Sequence, residues 1–298
     1  MGSPKKRITN SHAPPKVPLV QSDSQARVQV GGLTLVGLAK GGIETCLMVP
    51  ELRAMFDVGR CPPGALKYDT IFASHGHQDH LGGLPYLISQ RHLMRLPPVR
   101  VHVPGEIVEL LAGIVEAWAR IEGYELCVDL RAHEPGDRVE LGRDLFAVCL
   151  RSVHRVPSLA WVVHRVHRKL KPEFNGLDGA EIARIKASGV PVTEPRIEPW
   201  LCVSGDTRIE FFEREPLARR SRVLVHEVTS WDDRRGVEET RAWGHTHVEE
   251  LITRVEAFEG EALVLVHRSM RHGRAQVEEI VRTRFPAAVR DKIHVFGA

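Results

Sequence analysis

Within six residues, the run His75-Gly76-His77-Gln78-Asp79-His80 gathers three imidazoles and a carboxylate. Imidazole nitrogen and carboxylate oxygen are both good ligands for zinc, and this many donors can serve two ions at once. The run leaves an apolar stretch, Thr70 to Ser74, and turns through Gly76. Loops fixed to the end of a buried strand are where geometrically demanding sites are built. A solvated loop that merely contained histidines would have no reason to follow a strand with this spacing.

Four loop ligands rarely complete a two-metal site, so distant partners are expected. The same local grammar recurs three times: Phe146 to Leu150 leads into His154, Leu201 to Gly205 into Asp206, and Leu263 to Val266 into His267. Each is an apolar strand followed by a potential ligand, and strand ends meeting at one sheet edge are where α/β sites form. A lone histidine after a strand is more often a satisfied polar group than a ligand. The repetition is what carries the reading. His245-Thr246-His247 also has metal-like spacing, and His247 reads as the exposed start of a helix.

The elements that must position these groups are short strands first and strand–helix alternation later. Val28 to Leu38, broken by Gly31-Gly32, reads as a hairpin. Thr45 to Val49 and Ala54 to Val58 follow as short apolar runs. A helix opens after Gly82-Gly83-Leu84-Pro85, and Ile107, Leu110, Leu111, Ile114, Val115 and Trp118 have helical spacing over 106–121. Strands are expected at Leu145 to Leu150, Leu159 to Val166, Trp200 to Val203, Val223 to Val225 and Ala262 to Val266. Helices are expected at 179–187 and from Val248 to Phe258. Trp161 to Lys171 carries Arg165, Arg168, Lys169 and Lys171 with His164 and His167. It reads either as an edge strand blunted by cations or as a phosphate-contacting patch. His12, His92, His102 and His133 receive no role.

Composition narrows the class. With 298 residues and 43% hydrophobic content, one layered α/β domain over 27–298 is expected. Residues 1–26 are rich in Pro, Ser and Lys, and read as a disordered basic tail. The net charge of +3 is concentrated there, in Lys5, Lys6, Arg7 and Lys16 against Asp23. The rest is balanced, so any anionic partner must be held by local patches. No apolar run is long enough to span a bilayer or to serve as a signal peptide. The five cysteines are scattered, with no CxxC pair, which argues against a disulfide framework or thiolate zinc site. A cytoplasmic protein without membrane contact is expected.

Several blocks together carry a family resemblance: Gly41-Gly42-Ile43-Glu44-Thr45-Cys46, Phe56-Asp57-Val58-Gly59-Arg60, the histidine run through Pro85, Ser204-Gly205-Asp206-Thr207, His226-Glu227-Val228-Thr229, Gly244-His245-Thr246-His247 and Val266-His267-Arg268-Ser269-Met270-Arg271. From about residue 28 onward the chain resembles the metallo-β-lactamase superfamily. Within it, it resembles ribonuclease Z, the tRNA 3′-processing endonuclease, and most closely the short plant-type form. The resemblance implies a four-layer αβ/βα sandwich and two Zn2+ per chain, with Mn2+ possible. One zinc would take His75, His77 and His154, the other Asp79, His80 and His267, and Asp206 would bridge them. The ions would lower the pKa of a shared water, which attacks the phosphodiester 3′ of the tRNA body. Glu227 and His245 would deliver a proton to the leaving oxygen, and Asp79 would also orient the nucleophile. Precursor tRNA is the implied substrate and a homodimer the implied assembly. Arg271 and Arg274, which follow a ligand directly, are expected to meet phosphate.

The chain departs from the family pattern in reading HEVT and HTH at the two proton-transfer blocks. Arg268 also stands at a usually apolar position, and no long Gly/Pro-rich arm is visible, with 104–125 reading as plain helix. The alternative carried forward is a binuclear-zinc hydrolase of a small cyclic phosphodiester, lactone or thioester.

Overall fold

The structure, a computed structural model, describes residues 25–297. The expected tail therefore lies outside the described residues, except for Gln25 and Ala26, and the first strand begins at Ala26.

Two sheets face each other. The first contains β1 (Ala26–Val30), β2 (Leu33–Gly41), β3 (Glu44–Val49), β4 (Ala54–Phe56), β5 (Thr70–Phe72), β6 (Val99–Pro104) and β7 (Val128–His133), paired in that order. The second is built from β8 (Arg138–Gly142), β9 (Leu145–Arg151), β10 (Leu159–Leu170), β11 (Thr193–Val203), β12 (Val223–Glu227), β13 (Ala262–Val266) and β15 (Ile293–Val295), in the order β15-β13-β12-β11-β10-β9-β8. A two-residue strand, β14 (Arg268–Ser269), crosses from the second sheet to pair with β2 of the first.

The apolar runs of the sequence follow from burial on both faces of each sheet. In β13, Ala262, Val264 and Val266 face the other sheet, whereas Leu263 and Leu265 face outward. Side chains alternate sides along a strand, so a strand covered twice must be apolar throughout. The inter-sheet layer is closed by Phe56, Phe72, Trp161 and Trp200. Outside the first sheet lie α2 (Leu84–Leu93) and α3 (Val108–Glu122), which follow the short α1 (Gln78–Leu81). Outside the second lie α5 (Glu210–Arg214), α6 (Pro216–Arg220), α7 (Val237–Ala242), α8 (Val248–Ile252), α9 (Arg274–Arg284) and α10 (Ala287–Arg290). A further helix, α4 (Gly179–Ala187), lies between β10 and β11. Helices, two sheets and helices give the expected four-layer α/β sandwich.

Three differences have physical causes. First, α3 buries only Leu111 and Val115, while Leu110, Ile114, Trp118 and Ile121 are 43–71% exposed. Helical spacing identifies the helix but does not say which of two adjacent apolar stripes is covered. Second, the helix expected over Val248 to Phe258 stops at Ile252 and resumes as one tight turn over Val255–Ala257, with the Thr253 hydroxyl bonded back to the Glu250 carbonyl.

Third, β10 is interior up to Arg165 and an edge only beyond it. It pairs with β9 from Leu159 through Arg165 and with β11 from Trp161 to Leu170. Beyond Arg165, residues up to Leu170 pair only with Thr193 to Ile197 of β11, and α4 closes this two-stranded ribbon. A capping box between Asp178 and Glu181 starts α4. The ribbon and its tip, residues 165–198, carry seven Lys or Arg against five Asp or Glu. An extension is thus present here, although the sequence suggested none, and the stretch expected as plain helix over 104–125 is helical over 105–122. Among the described residues, no helix is long and apolar enough to cross a membrane.

Candidate metal centre

Four of the strands that carry candidate ligands or their partners are parallel members of their sheets, and their carboxyl ends meet. The histidine run follows β5, Asp206 follows β11, Glu227 ends β12 and His267 follows β13; His154 follows the antiparallel β9. The two sheets are tied at this edge. Ser74 and Leu159 share a backbone hydrogen bond of 2.8 Å, and the Trp161 indole N–H donates to the Ala73 carbonyl at 3.1 Å.

All seven expected ligands converge. His75, His77, His154 and Asp206 offer donor atoms within 4.8 Å of one another, and so do Asp79, His80 and His267. Asp206 faces both groups. Its Oδ2 lies 3.4 Å from His80 Nε2 and 3.7 Å from His75 Nε2, while its Oδ1 lies 3.3 Å from His267 Nε2. Asp79 Oδ2 stands 3.6 Å from His267 Nε2 and accepts the Gly42 N–H at 2.9 Å.

The far side of four of the five rings is held by the protein. Asp57 accepts from His80 Nδ1 at 2.7 Å and from the Ser74 hydroxyl at 2.8 Å, and that hydroxyl is 2.9 Å from His75 Nδ1. His154 Nδ1 donates to the Gly244 carbonyl at 2.8 Å. His267 Nδ1 lies 2.9 Å from the Thr229 hydroxyl, which donates to Glu227 Oε2. These contacts turn the Nε2 atoms inward. Those of His80, His154 and His267 are buried without a hydrogen-bond partner among the described residues. A buried nitrogen with no partner is costly unless something else binds it. Three such atoms aimed past a buried carboxylate fit divalent cations taken by nitrogen and oxygen donors.

Electrostatics agree. Burial pushes the His75, His77 and His154 imidazoles below their ordinary range, towards the neutral form that ligates. Burial would raise Asp206, but His267 and His80 outweigh it and hold the carboxyl well below the usual range. Burial would also raise Asp79. The neighbouring His267 and His80 imidazoles outweigh that, and bring it to about 2. Both groups therefore stay anionic.

The backbone bears the demand. His267 and Asp57 have φ of 61° and 55°, a region that side-chain-bearing residues rarely occupy. Gly205 (φ 60°) lets Asp206 pass Ser74, because a Cβ there would lie 2.6 Å from the Ser74 Cβ.

Beside the cluster, Glu227 is fully buried. Its Oε1 accepts from His245 Nδ1 at 2.9 Å and from the Thr207 N–H at 3.0 Å. The His245 ring lies 5.2 Å from that of His154 and 5.3 Å from that of His267, and its Nδ1 is 3.8 Å from Asp206 Oδ2. His245, Asp206 and His267 also have donor atoms within 4.8 Å of one another, but Glu227 already engages His245 Nδ1. Burial alone would lower His245. The Glu227 carboxylate and its hydrogen bond, with Asp206, raise it to about 9.

Other expectations fare unevenly. His247 is buried rather than exposed: it caps α8, accepting the Glu249 N–H at 3.2 Å. His164 is buried and stacks on Phe146, and His167 pairs with Glu198 at 2.8 Å. Arg271 is exposed. Arg274 pairs with Glu278 at 2.7 Å and lines a groove of about 560 Å³ between β1 and β15, with Arg27, Arg282 and Arg290. It is not brought into the ligand cluster. The holding groups Asp57, Ser74 and Thr229 stand in the motif blocks, but only the fold shows which rings they hold.

Asp57→Ala is expected to weaken metal binding about 10- to 100-fold, because it frees the His80 ring without removing a ligand atom. Chelator competition on the purified protein measures this, and unchanged affinity would contradict the holding role.

A cluster of candidate metal ligands on the shared edge of a four-layer sandwich defines the class, and the match to the Beta-lactamase superfamily domain over residues 49–268 agrees. The chain is 36% identical to tRNase Z TRZ1 of Arabidopsis thaliana, over 87% of this chain and 93% of that protein. It is 34% identical to the chloroplastic tRNase Z TRZ2 of the same plant, over 85% and 72%. The chain belongs to the tRNase Z family of metal-dependent hydrolases within that superfamily. Solved structures share the fold: human tRNase Z, short form, at TM-score 0.56 and 17% identity (87% of this chain, 94% of that one), and YhfI of Bacillus subtilis at 0.60 and 13% (92% and 97%).

Proposed function

We propose that this protein is a two-zinc endoribonuclease that removes 3′ trailers from precursor tRNA. The observation that carries the reading is the Glu227–His245 pair. It places a protonated imidazole beside the ligand cluster, where an alkoxide leaving group needs a proton. His75, His77 and His154 would hold one zinc and Asp79, His80 and His267 the other, with Asp206 between them. Zinc ions there would supply Lewis acidity and a nucleophile at neutral pH, and Mn2+ suits the same donors. Asp79, anionic and fixed by the Gly42 N–H, orients the attacking group. Glu227 keeps His245 charged and aimed, and His245 gives up its proton to the 3′-oxygen. The basic ribbon over 165–198 and Arg271 meet phosphates away from the cleaved bond.

The test is cleavage-site mapping on a 3′-extended precursor tRNA, with metal added and then chelated. Metal-dependent scission at the 3′ end of the mature tRNA body is expected. Turnover of bis(p-nitrophenyl) phosphate with no cleavage of any precursor tRNA would overturn the reading in favour of a small-molecule hydrolase.

The unit responsible spans 27–298, and the enzyme acts as a homodimer in a reducing compartment, the cytoplasm. All five cysteines are free. Leu110, Ile114, Trp118 and Ile121 form one exposed apolar stripe on α3, with Tyr86 and Leu93 exposed on the adjacent α2. Such a stripe suits a self-complementary two-fold interface. Ile114→Glu with Trp118→Glu is expected to halve the mass seen by light scattering. A wild-type monomer at micromolar concentration would refute the dimer.

A further inference from the structure

Arg155 follows the candidate ligand His154 directly and is exposed. Among the described residues its guanidinium pairs with no carboxylate. The arginines of the segment that leads into Trp243 are all paired: Arg234 with Asp232, Arg235 with Glu239, and Arg241 with Glu210 and Glu250. Arg155 instead lies over the indole of Trp243, 4.6 Å from the ring centroid. Trp243 is 49% exposed, an uncommon position for an indole, and stands two residues before His245.

The backbone that carries the two side chains is tied to the centre. Trp243 runs into Gly244, whose carbonyl accepts from His154 Nδ1 at 2.8 Å. At Gly244 (φ 84°) a Cβ would lie 2.7 Å from His154 Nδ1 and 3.1 Å from the Arg155 backbone nitrogen. The indole and the guanidinium therefore sit on the rim between His154 and His245, the ring half exposed although Arg235 also approaches it at 5.8 Å from the centroid, and the Arg155 cation free of acids. Exposed aromatics stack on nucleobases and cations contact the phosphates between them. A guanidinium held only by an exposed ring is readily given up to a phosphate.

We infer that Trp243 and Arg155 form a nucleotide-binding step beside the cleaved bond, the indole stacking on a flanking base and the guanidinium meeting the adjacent phosphate. The inference rests on the endoribonuclease reading and adds two residues that position RNA, neither of which touches the reacting atoms.

The test is steady-state cleavage of a 3′-extended precursor tRNA by Trp243→Ala, Trp243→Phe and Arg155→Ala enzymes, with bound metal measured for each. Trp243→Ala is expected to raise KM by roughly 10- to 100-fold, the range for loss of one stacked base, with kcat within about threefold. Trp243→Phe keeps an aromatic face and recovers most of the KM. Arg155→Ala lowers the slope of log KM against log salt by about one, which a merely structural role would not do. A wild-type KM in Trp243→Ala overturns the inference. So does a fall in kcat with loss of metal that phenylalanine fails to rescue, since Trp243 would then only brace the Gly244 loop. Failure of the wild-type enzyme on every precursor tRNA instead sinks the endoribonuclease reading itself.

Discussion

Asp206→Ala is expected to retain less than half of the wild-type metal and to cleave precursor tRNA at least about 10³-fold more slowly. Asp206 faces ligands of both groups, His75 and His80 through Oδ2 and His267 through Oδ1, so its loss opens both sites at once. Removal of Asp57, an outer partner, is expected to cost only about 10- to 100-fold in affinity, and a shared ligand must cost more. The carboxylate also offsets the charge of ions bound in a buried place, where uncompensated charge is expensive. Breaking a buried charge network costs on the order of 3–5 kcal/mol, so the alanine protein is expected to be only marginally folded. Asp206→Asn keeps the shape, removes the charge and guards against this. Metal per chain by elemental analysis, circular dichroism and cleavage rate together read the result. A folded Asp206→Asn protein with full metal content and wild-type rate would sink the bridging role.

The ligands themselves were legible because each ends a strand. An apolar run buried on both faces has a distinct composition, and a polar group directly after it must lie at the sheet edge. His154, Asp206 and His267 could be found this way although they are far apart in sequence. What holds them was not legible. Asp57 meets His80 across 23 residues and the Gly244 carbonyl meets His154 across 90, and nothing local marks either pairing. A backbone carbonyl leaves no trace in residue identity at all. The same limit explains His247, whose position at a helix start was readable but whose burial depends on packing around Ser230 and Asp232. It also explains the ribbon. Beyond Arg165 the strands are paired to each other and covered by neither sheet, so the apolar alternation that marks a buried strand disappears while the hydrogen bonding continues.

Glu227→Gln is expected to lower kcat by about 10²- to 10⁴-fold at pH 8, the range for loss of general acid–base help, with a smaller deficit at pH 6. The sign follows from His245. Its pKa is raised, against burial, chiefly by the Glu227 carboxylate, to about 9 in the metal-free protein. A group so raised is protonated through neutral pH and loses its proton as pH climbs towards that value. Removing the carboxylate leaves burial to dominate, so less His245 carries a proton at pH 8 than at pH 6. By the same linkage, the contribution of His245 to the stability of metal-free wild type is full below about 6.5 and is lost as pH rises through about 9. Thermal melts over that window check this apart from turnover. His245→Ala should show a loss of similar size on RNA. The loss should shrink to a few-fold on bis(p-nitrophenyl) phosphate, whose leaving group departs without a proton. That contrast separates proton donation from metal binding. Had His245 been a ligand, as its distance from Asp206 and His267 alone would allow, both substrates would suffer equally and metal content would fall.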